Sequence, residues 1–481
     1  MMDAETVRDA VRRRLAVDTR AVAVFRVTLG LSLLADLSMR ARGLGVFYTD
    51  AGVLPRDVLA QLFPSLARLS LHGLSGAVWV QIVLVSVSAV SALALLVGLR
   101  SRTAASVALV LHVSMYARNP FVLNGGDTML AVLLLLSVFT PLGARWSVDA
   151  VGRDDEAPGS VLSAPTVAPL LFILVIYSSN AVLRYRGEPW MSGEAVRRVF
   201  GLETVTVLAG PYLAQFPFVL EAVNWVWVAM LTVSFLLVAL TGWLRAAFAL
   251  SFIVAHTVMA LTLRLGVFPV VVISALVLFL PPVFWDRVEK QLPSDGVASL
   301  PPRRLHAVSR VRTVTSGSLL RVRAGTVVAV TVVSAVLFWQ GAALGYVDAP
   351  DAGGVDPGEY AWKMYSPTPE GTYGWYTASV EPADGDGTYV FPDTVAETDG
   401  SVRYAPRRTA DAYPSTLWYR YLNGIDDASE MRQHAFADSL CRSSRKGHGD
   451  ADVEVWHTER EVVLNGADEE RSYRVVRHDC G

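Results

Sequence analysis

Residues 77–97 read AVWVQIVLVSVSAVSALALLV, a stretch of 21 residues without a single charge. A helix needs about 20 apolar residues to cross the hydrocarbon core of a bilayer, so this stretch predicts a membrane-spanning helix. Similar stretches recur between residues 21 and 346, separated by short polar connections. Because every backbone amide in hydrocarbon must be paired within its own segment, this part of the chain is predicted to be a helical bundle.

Nine stretches share this apolar character, and two of them, 104–116 and 129–142, are shorter than a bilayer requires. The sequence therefore predicts an all-α polytopic transmembrane helix bundle of about eight or nine spans, followed by a small α+β soluble domain. The nine stretches are residues 21–37, 77–97, 104–116, 129–142, 167–183, 223–241, 246–263, 267–284 and 325–346.

The chain changes character after its last apolar stretch. Residues 347–481 contain 25 acidic and 13 basic residues, whereas the rest of the chain contains 19 acidic and 29 basic residues. The chain contains three lysines and 39 arginines. This ratio and the acidic tail are typical of salt-adapted organisms, so the charge of the tail does not indicate a nucleic-acid partner. Composition thus predicts five parts: a basic cytoplasmic leader (1–20), a helical membrane domain (21–285), a basic cytoplasmic linker (286–324), a last transmembrane helix (325–346) and an acidic extracytoplasmic domain (347–481).

The distribution of arginines predicts the orientation. With nine crossings, the basic leader, the connection after the second span and the basic linker lie on one side, which the positive-inside rule makes cytoplasmic. The tail then lies outside the cell membrane. The only two cysteines, Cys441 and Cys480, both fall in this tail, where an oxidising compartment permits a disulfide; coincidence is the alternative.

Charged residues within the apolar stretches are candidates for function, because a charge at membrane depth is costly. Asp36 and Arg40 are spaced for an i,i+4 pair. Arg26 lies ten residues before Asp36, about 15 Å away along a helix, so the two cannot pair. Arg26 therefore needs a ligand or a partner on another helix, or it extends its side chain to the membrane surface.

Three segments rich in Gly, Pro and Asn are predicted to converge on one outward-facing pocket. They are residues 47–56 (FYTDAGVLPR), 118–127 (RNPFVLNGGD) and 177–196 (YSSNAVLRYRGEPWMSGEAV). The alternative is that Gly and Asn only form turns and that Arg184 pairs with Glu188. The polar residues of these segments are Tyr48, Asp50, Arg118, Asn119, Asn124, Asp127, Asn180, Arg184, Glu188, Trp190 and Glu194.

Five motifs, in order along the chain, resemble those of a known family. They are Arg26-Val27-x-Leu29-Gly30 with Asp36, the segment YTDAGVLPR, the segment RNPFVLNGGD leading into FTPLGARWSVD (139–149), residues 177–196, and WKMYSP (362–367). Together they resemble the HTTM family, the horizontally transferred transmembrane domain, which is related to vitamin K-dependent gamma-carboxylase. The resemblance covers about residues 15 to 370.

The resemblance implies a helical membrane domain that, in the carboxylase, binds a reduced naphthoquinone and couples its oxygenation to carboxylation of glutamate. The carboxylase's lysine base corresponds to Arg184, and its important histidine falls near Gly126, next to Asp127. An arginine stays protonated at any working pH, whereas a buried lysine can act as a base. Two expected catalytic groups are therefore absent, and the carboxylase activity is not carried over to this chain.

The sequence favours a protein that binds or modifies a lipid-soluble molecule such as a quinone or an isoprenoid, with Arg184 holding an anionic or carbonyl group. A non-enzymatic membrane scaffold whose tail docks a surface protein is one alternative, and a transporter is another. No metal site is expected, because His112 and His256 lack an i,i+4 histidine or carboxylate. The catalytic candidates are Arg184, Asp127 and Glu194, and the pocket candidates are Arg26, Asp36, Tyr48, Asp50, Arg118, Asn119, Asn124, Asn180 and Trp190.

Overall fold

The computed structural model describes residues 4–151, 159–291, 316–348, 356–382, 388–391, 409–444, 451–464 and 469–480. The described part is mostly helical up to residue 348, which we call the helical domain, and it carries a small sheet in the part from residue 356 onward, which we call the tail. The helices are α1 (Ala4–Leu15), α2 (Thr19–Ala41), α3 (Leu44–Tyr48), α4 (Arg56–Leu62), α5 (Pro64–Leu69), α6 (Val78–Val97), α7 (Ser101–Arg118), α8 (Gly125–Ser137), α9 (Ala164–Tyr185), α10 (Glu188–Met191), α11 (Ala195–Gly201), α12 (Gly210–Leu213), α13 (Pro217–Thr232), α14 (Leu236–Ala239), α15 (Gly242–Thr262), α16 (Phe268–Leu276), α17 (Pro282–Gln291), α18 (Ser316–Ala343), α19 (Pro357–Tyr360), α20 (Thr416–Leu422) and α21 (Glu430–Ser444).

Among the described residues, five helices are long and apolar enough to cross a membrane, namely α2, α6, α9, α15 and α18. Residues Phe268–Phe279 and α17 form a sixth candidate, bent by 102°. Each predicted apolar stretch coincides with a helix, but the predicted count of eight or nine spans is not confirmed.

There are more predicted apolar stretches than long continuous helices, because the hydropathy of a stretch does not show whether its helix is interrupted. The predicted span 129–142 runs past the end of α8 at Ser137 into a turn, and 223–241 runs past the end of α13 at Thr232. The predicted span 267–284 contains Pro281 and Pro282, where the chain bends. Apolar side chains therefore continue through segments that are not continuous helix.

Helix α2 is central to the bundle and packs against α6, α8 and α16. Gly30 permits a close approach to α6, because a Cβ atom at this position would lie 2.9 Å from the Cβ atom of Leu96. At 1.5 Å per residue the 23 residues of α2 span about 35 Å, so its two ends lie on opposite sides of the bundle.

The beginning of α2 lies at the end of the bundle opposite the tail. Arg20 forms ion pairs of 2.8 Å with Asp18 and Asp286 and of 2.7 Å with Glu289. The Arg245 guanidinium donates to the carbonyl of Arg14 at 2.8 Å. The leader and α17 are therefore held together on one side of the helical domain.

The tail contains four strands, β3 (Thr372–Pro382), β4 (Thr388–Phe391), β5 (Ala451–Glu461) and β6 (Glu470–Asp479). They form an antiparallel sheet in the order β4-β3-β5-β6. Ala378 pairs with Val455, and Val455 in turn pairs with Val476, which aligns three strands. A disulfide joins Cys441 of α21 to Cys480, with Cα atoms 5.5 Å apart. In the helical domain, β1 (Val17–Asp18) pairs antiparallel with β2 (Ser160–Val161).

The tail is docked on the side of the helical domain where α2 ends, which we call the tail side. The rings of Phe47 and Trp418 lie 5.0 Å apart in an edge arrangement, and the Tyr421 hydroxyl donates to the Val53 carbonyl at 3.0 Å. Arg442 donates to the Gly52 carbonyl at 2.9 Å. The segments expected to form an outward-facing pocket are therefore covered by the tail.

Candidate functional site

A buried ion network lies where α2 meets the tail. Its centre is Arg40, whose Nε lies 2.8 Å from Asp36 Oδ2, one turn earlier on the same helix. Arg40 Nη1 donates to the Tyr48 hydroxyl and Nη2 to Asp127 Oδ1, both at 2.6 Å. The side chains of Asp36, Arg40 and Asp127 are fully buried.

The tail contributes one member of this network, Arg420. Asp127 caps α8 by accepting the Asn124 N–H at 2.7 Å, and the same oxygen, Oδ2, lies 3.0 Å from Nη1 of Arg420. Arg420 also donates to the Val122 carbonyl at 3.1 Å. The two carboxylates are thus balanced by two guanidinium groups, one from each part of the chain. This arrangement fixes the tail in place and leaves both oxygens of Asp127 engaged.

Helix α7 closes the network on one side. The guanidinium carbon of Arg40 lies 4.9 Å from the centre of the Tyr116 ring, and His112 Nε2 lies 3.8 Å from Asp36 Oδ2. His112 Nδ1 contacts the Ala108 carbonyl at 3.1 Å and the Ser88 hydroxyl at 3.2 Å. His112 and Tyr116 therefore belong to this network, although their spacing in the sequence gave no local sign of it.

A second group of predicted residues supports the loops around the network. Asp50 binds Arg56 at 2.8 Å and lies 3.6 Å from Arg118, whose Nη1 donates to the Leu54 carbonyl. Asn119 donates to the Phe47 carbonyl at 2.9 Å, and Asn124 donates to the Leu265 carbonyl at 3.0 Å. These contacts bring together the first two of the three predicted segments.

Arg184 forms a separate site near the end of α9. Its side chain is buried, with the residue 2% exposed. Nη1 donates to the carbonyl and side-chain oxygens of Asn180 at 3.1 and 2.9 Å, and Nη2 donates to the Met364 carbonyl at 3.1 Å. The guanidinium carbon lies 4.2 Å from the centre of the Trp190 ring. Within the described ranges, Arg184 has no carboxylate within 4.0 Å, and its Nε has no hydrogen-bond partner.

Aromatic side chains lie on the same face of α9, two turns before Arg184. Tyr177 lies seven residues before Arg184, which places both on one face about 10 Å apart. Its ring stacks on Phe252 at 4.8 Å and lies 6.1 Å from the His256 ring. The Tyr177 hydroxyl has no hydrogen-bond partner among the residues described. Arg184 and these aromatic side chains therefore follow one another along one face of α9.

Residues 362–367, which we call the cap segment, cover Arg184 from the tail. Asn180 donates to the Trp362 carbonyl, and Trp190 Nε1 donates to the Tyr365 carbonyl at 3.1 Å. Met364 and Tyr365 have positive φ angles of 29° and 56°, a region that residues other than glycine rarely adopt. The cap segment also lines a cavity of about 510 Å³, together with Asn124, Gly126 and Phe268.

Some predicted residues lie apart from these groups. Arg26 is 14 residues before Arg40, about 21 Å along α2, and it donates to the Leu142 and Arg145 carbonyls at 3.0 and 3.1 Å. The structure therefore does not bring Arg26 to the tail side. Glu194 pairs with Arg198 at 2.9 Å on the same helical turn. Glu188 is not the partner of Arg184, so the local pair considered as an alternative does not form.

The tail contains a further polar cluster. Asp426 accepts hydrogen bonds from the hydroxyls of Tyr376 at 2.6 Å and Tyr473 at 2.7 Å, and His457 Nδ1 lies 2.9 Å from the Tyr473 hydroxyl. Burial acts to raise the pKa of Asp426, but the two hydroxyls hold it below its usual value of 3.8. Burial also lowers the pKa of His457 below 6.5. These residues are far apart in the sequence, and no motif marked them.

The comparisons with known proteins agree with the motifs of the helical domain. The family described as HTTM domain matches residues 15–285, which is more than half of the chain. No curated protein and no solved structure matches the chain. The matched region contains the buried ion network except Arg420, and it contains Arg184, Asn180 and Trp190.

Proposed function

We propose that this chain, which belongs to the HTTM domain family, is a membrane protein that binds a lipid-soluble molecule at Arg184. The family and the apolar helices indicate the membrane. The expected ligand carries a carbonyl or anionic group on an apolar body, as a quinone or an isoprenoid phosphate does. On this proposal the tail lies on the extracytoplasmic side and closes the site from above.

The observation that carries the proposal is the uncompensated charge of Arg184. A buried guanidinium is costly unless it is paired, and the described contacts of Arg184 are to neutral oxygens and an aromatic ring. By contrast, Arg40 in the neighbouring network has two carboxylate partners. A ligand oxygen near the free Nε of Arg184 would supply the missing acceptor, and the planar guanidinium suits carbonyl, carboxylate and phosphate oxygens.

The surroundings of Arg184 suit an amphipathic ligand. Tyr177, Phe252 and His256 form an aromatic wall two turns deeper in the bundle, which would accept an apolar ring or chain. The backbone strain at Met364 and Tyr365 lies in the segment that covers Arg184, and such strain concentrates at ligand-binding positions. Phe268 lies between this wall and the cavity, because its ring is 6.2 Å from His256 and it lines the cavity.

Binding is a better proposal than proton abstraction. Arg184 stays protonated and cannot serve as the base that a lysine supplies in the related carboxylase. A histidine at position 126 would not fit, because even a Cβ atom at Gly126 would lie 2.7 Å from the Cα atom of Phe268. Arg184 would therefore orient a ligand oxygen by hydrogen bonds and charge.

Mass spectrometry of lipids that copurify with the full-length protein in mild detergent tests this function. We expect a near-stoichiometric quinone or isoprenoid in the wild type, less in Arg184→Lys because a point charge replaces a planar fork, and least in Arg184→Ala. Arg245→Lys is the matched control, since Arg245 is also buried but lies on the opposite side of the bundle. Equal ligand content in wild type and Arg184→Ala would reject the proposal.

A further inference from the structure

A groove of about 790 Å³ separates the tail from the helical domain, away from Arg184. One wall is formed by α11 to α13 and includes Phe200, Ala214 and Leu220. The other wall is formed by the tail and includes Trp375 and Val462. None of the groove residues is among the contacts of Arg184.

Two arginines line this groove, which combines polar and apolar side chains. Arg197 of α11 is half-buried and has no carboxylate partner within the described part of the chain. Arg460 of β5 lies 5.3 Å from the centre of the Trp375 ring and pairs with Glu470 at 3.0 Å. Among the described lining residues the acidic one is Glu203, which accepts a hydrogen bond from Thr409 at 2.6 Å. The groove thus has an unpaired guanidinium beside apolar walls.

The groove is continuous with a surface that is suited to the membrane boundary. Just before and at the start of α13 the chain exposes Leu208, Tyr212 and Phe218, each by two thirds or more of its surface. Exposed aromatic side chains next to an apolar helix are typical of the zone where lipid headgroups lie. Tyr212 and Phe218 directly flank Pro211 and Pro217, which line the groove.

We propose that this groove binds an anionic membrane lipid. The lipid phosphate would lie between Arg197 and Arg460, because guanidinium groups bind phosphate by two parallel hydrogen bonds. One acyl chain would run along Phe200, Leu220 and Val462. A lipid in this position would contact both parts of the chain at their seam, so it would strengthen the docking of the tail.

Native mass spectrometry of the full-length protein with added phosphatidylglycerol or phosphatidylcholine tests this assignment. We expect the wild type to prefer phosphatidylglycerol about tenfold, because phosphatidylcholine carries a cationic choline beside the same phosphate and two arginines repel it. Arg197→Gln or Arg460→Gln should lose most of that preference. The controls are Arg198→Gln and Arg474→Gln, whose side chains pair with Glu194 and Glu454 outside the groove. Both controls should remain within about twofold of wild type.

Two further measurements separate a lipid site from a simple phosphate site. Ala214→Trp keeps both arginines but fills the apolar part of the groove, so it should reduce phosphatidylglycerol binding while the copurifying ligand at Arg184 is unchanged. Soluble glycerol phosphate should compete poorly. Equal binding of the two lipids by wild type, full retention in the Arg197→Gln and Arg460→Gln double variant, or equally strong competition by glycerol phosphate would each overturn the proposal.

Discussion

The ion pair between Arg420 and Asp127 should control whether the tail stays docked. Arg420 donates to Asp127 and to the Val122 carbonyl from a side chain that is 5% exposed. Removing one partner of a buried pair costs about 3 to 5 kcal/mol. Asp127 would keep Arg40 at 2.6 Å and the Asn124 N–H at 2.7 Å, so Arg420→Gln should lie at the lower end, about 3 kcal/mol.

Hydrogen exchange of the full-length protein in detergent measures this loss. A destabilisation of about 3 kcal/mol should increase the opening of α20 by roughly 100-fold, while the amides of α9 keep their wild-type protection. Arg442→Gln is the matched control, because Arg442 also reaches the helical domain but is exposed and donates there to a neutral acceptor, the Gly52 carbonyl. We expect it to cost about 1 kcal/mol or less.

A double-mutant cycle gives a second measure of the same pair. Asp127→Asn should cost at least as much as Arg420→Gln, because it leaves Arg40 and Arg420 as two like charges in a buried space. The double variant should be less destabilised than the sum of the single variants by about 1 kcal/mol or more. If Arg420→Gln behaves like Arg442→Gln, or if the cycle shows no coupling, the network does not hold the tail.

Three other predictions concern the tail. Because burial lowers the pKa of His457, the unfolded tail binds a proton at a higher pH than the folded tail does, so the stability of the tail should fall as pH decreases below about 6.5. Unfolding in guanidinium chloride, followed by hydrogen exchange of β5, should show a flatter pH dependence in His457→Gln. Replacing Cys441 and Cys480 by serine should remove up to about 4 kcal/mol of stability, by the chain-entropy estimate for a separation of 39 residues. The loss would be measured as reduced hydrogen-exchange protection of β6, and unchanged protection would argue against this contribution. A membrane-impermeant protease applied to intact cells should cleave the tail, and protection until the cells are permeabilised would reverse the predicted orientation.

The sequence predicted those features that depend on local composition. The apolar stretches coincide with helices, and the tail predicted to be a small α+β domain contains helices α20 and α21 beside a four-stranded sheet. Local patterning could not reveal that α8 and α13 end early, because apolar residues continue into the following turns. The predicted count of eight or nine spans is therefore not confirmed among the residues that the structure describes.

Long-range polar contacts explain most of what the sequence could not reveal about the site. The i,i+4 pair of Asp36 and Arg40 is visible in the sequence, but the contact with Asp127 joins residues 87 positions apart, and that with Arg420 joins residues 293 positions apart. Charge type alone does not select such partners. The motif identifies Arg184 as a candidate, but it does not show that the surroundings of Arg184 are neutral. Those surroundings include carbonyl groups of the cap segment, about 180 residues further along the chain.

Photo-crosslinking tests the central claim, ligand binding at Arg184, most directly. The full-length protein in native-like lipid would be illuminated with a photoreactive isoprenoid quinone, and the labelled peptides would be mapped. We predict that label concentrates in residues 177–190 and 362–367, is displaced by unlabelled quinone, and is lost in Arg184→Ala. Label spread over the lipid-facing helices α6 and α18, unchanged by either treatment, would contradict the account.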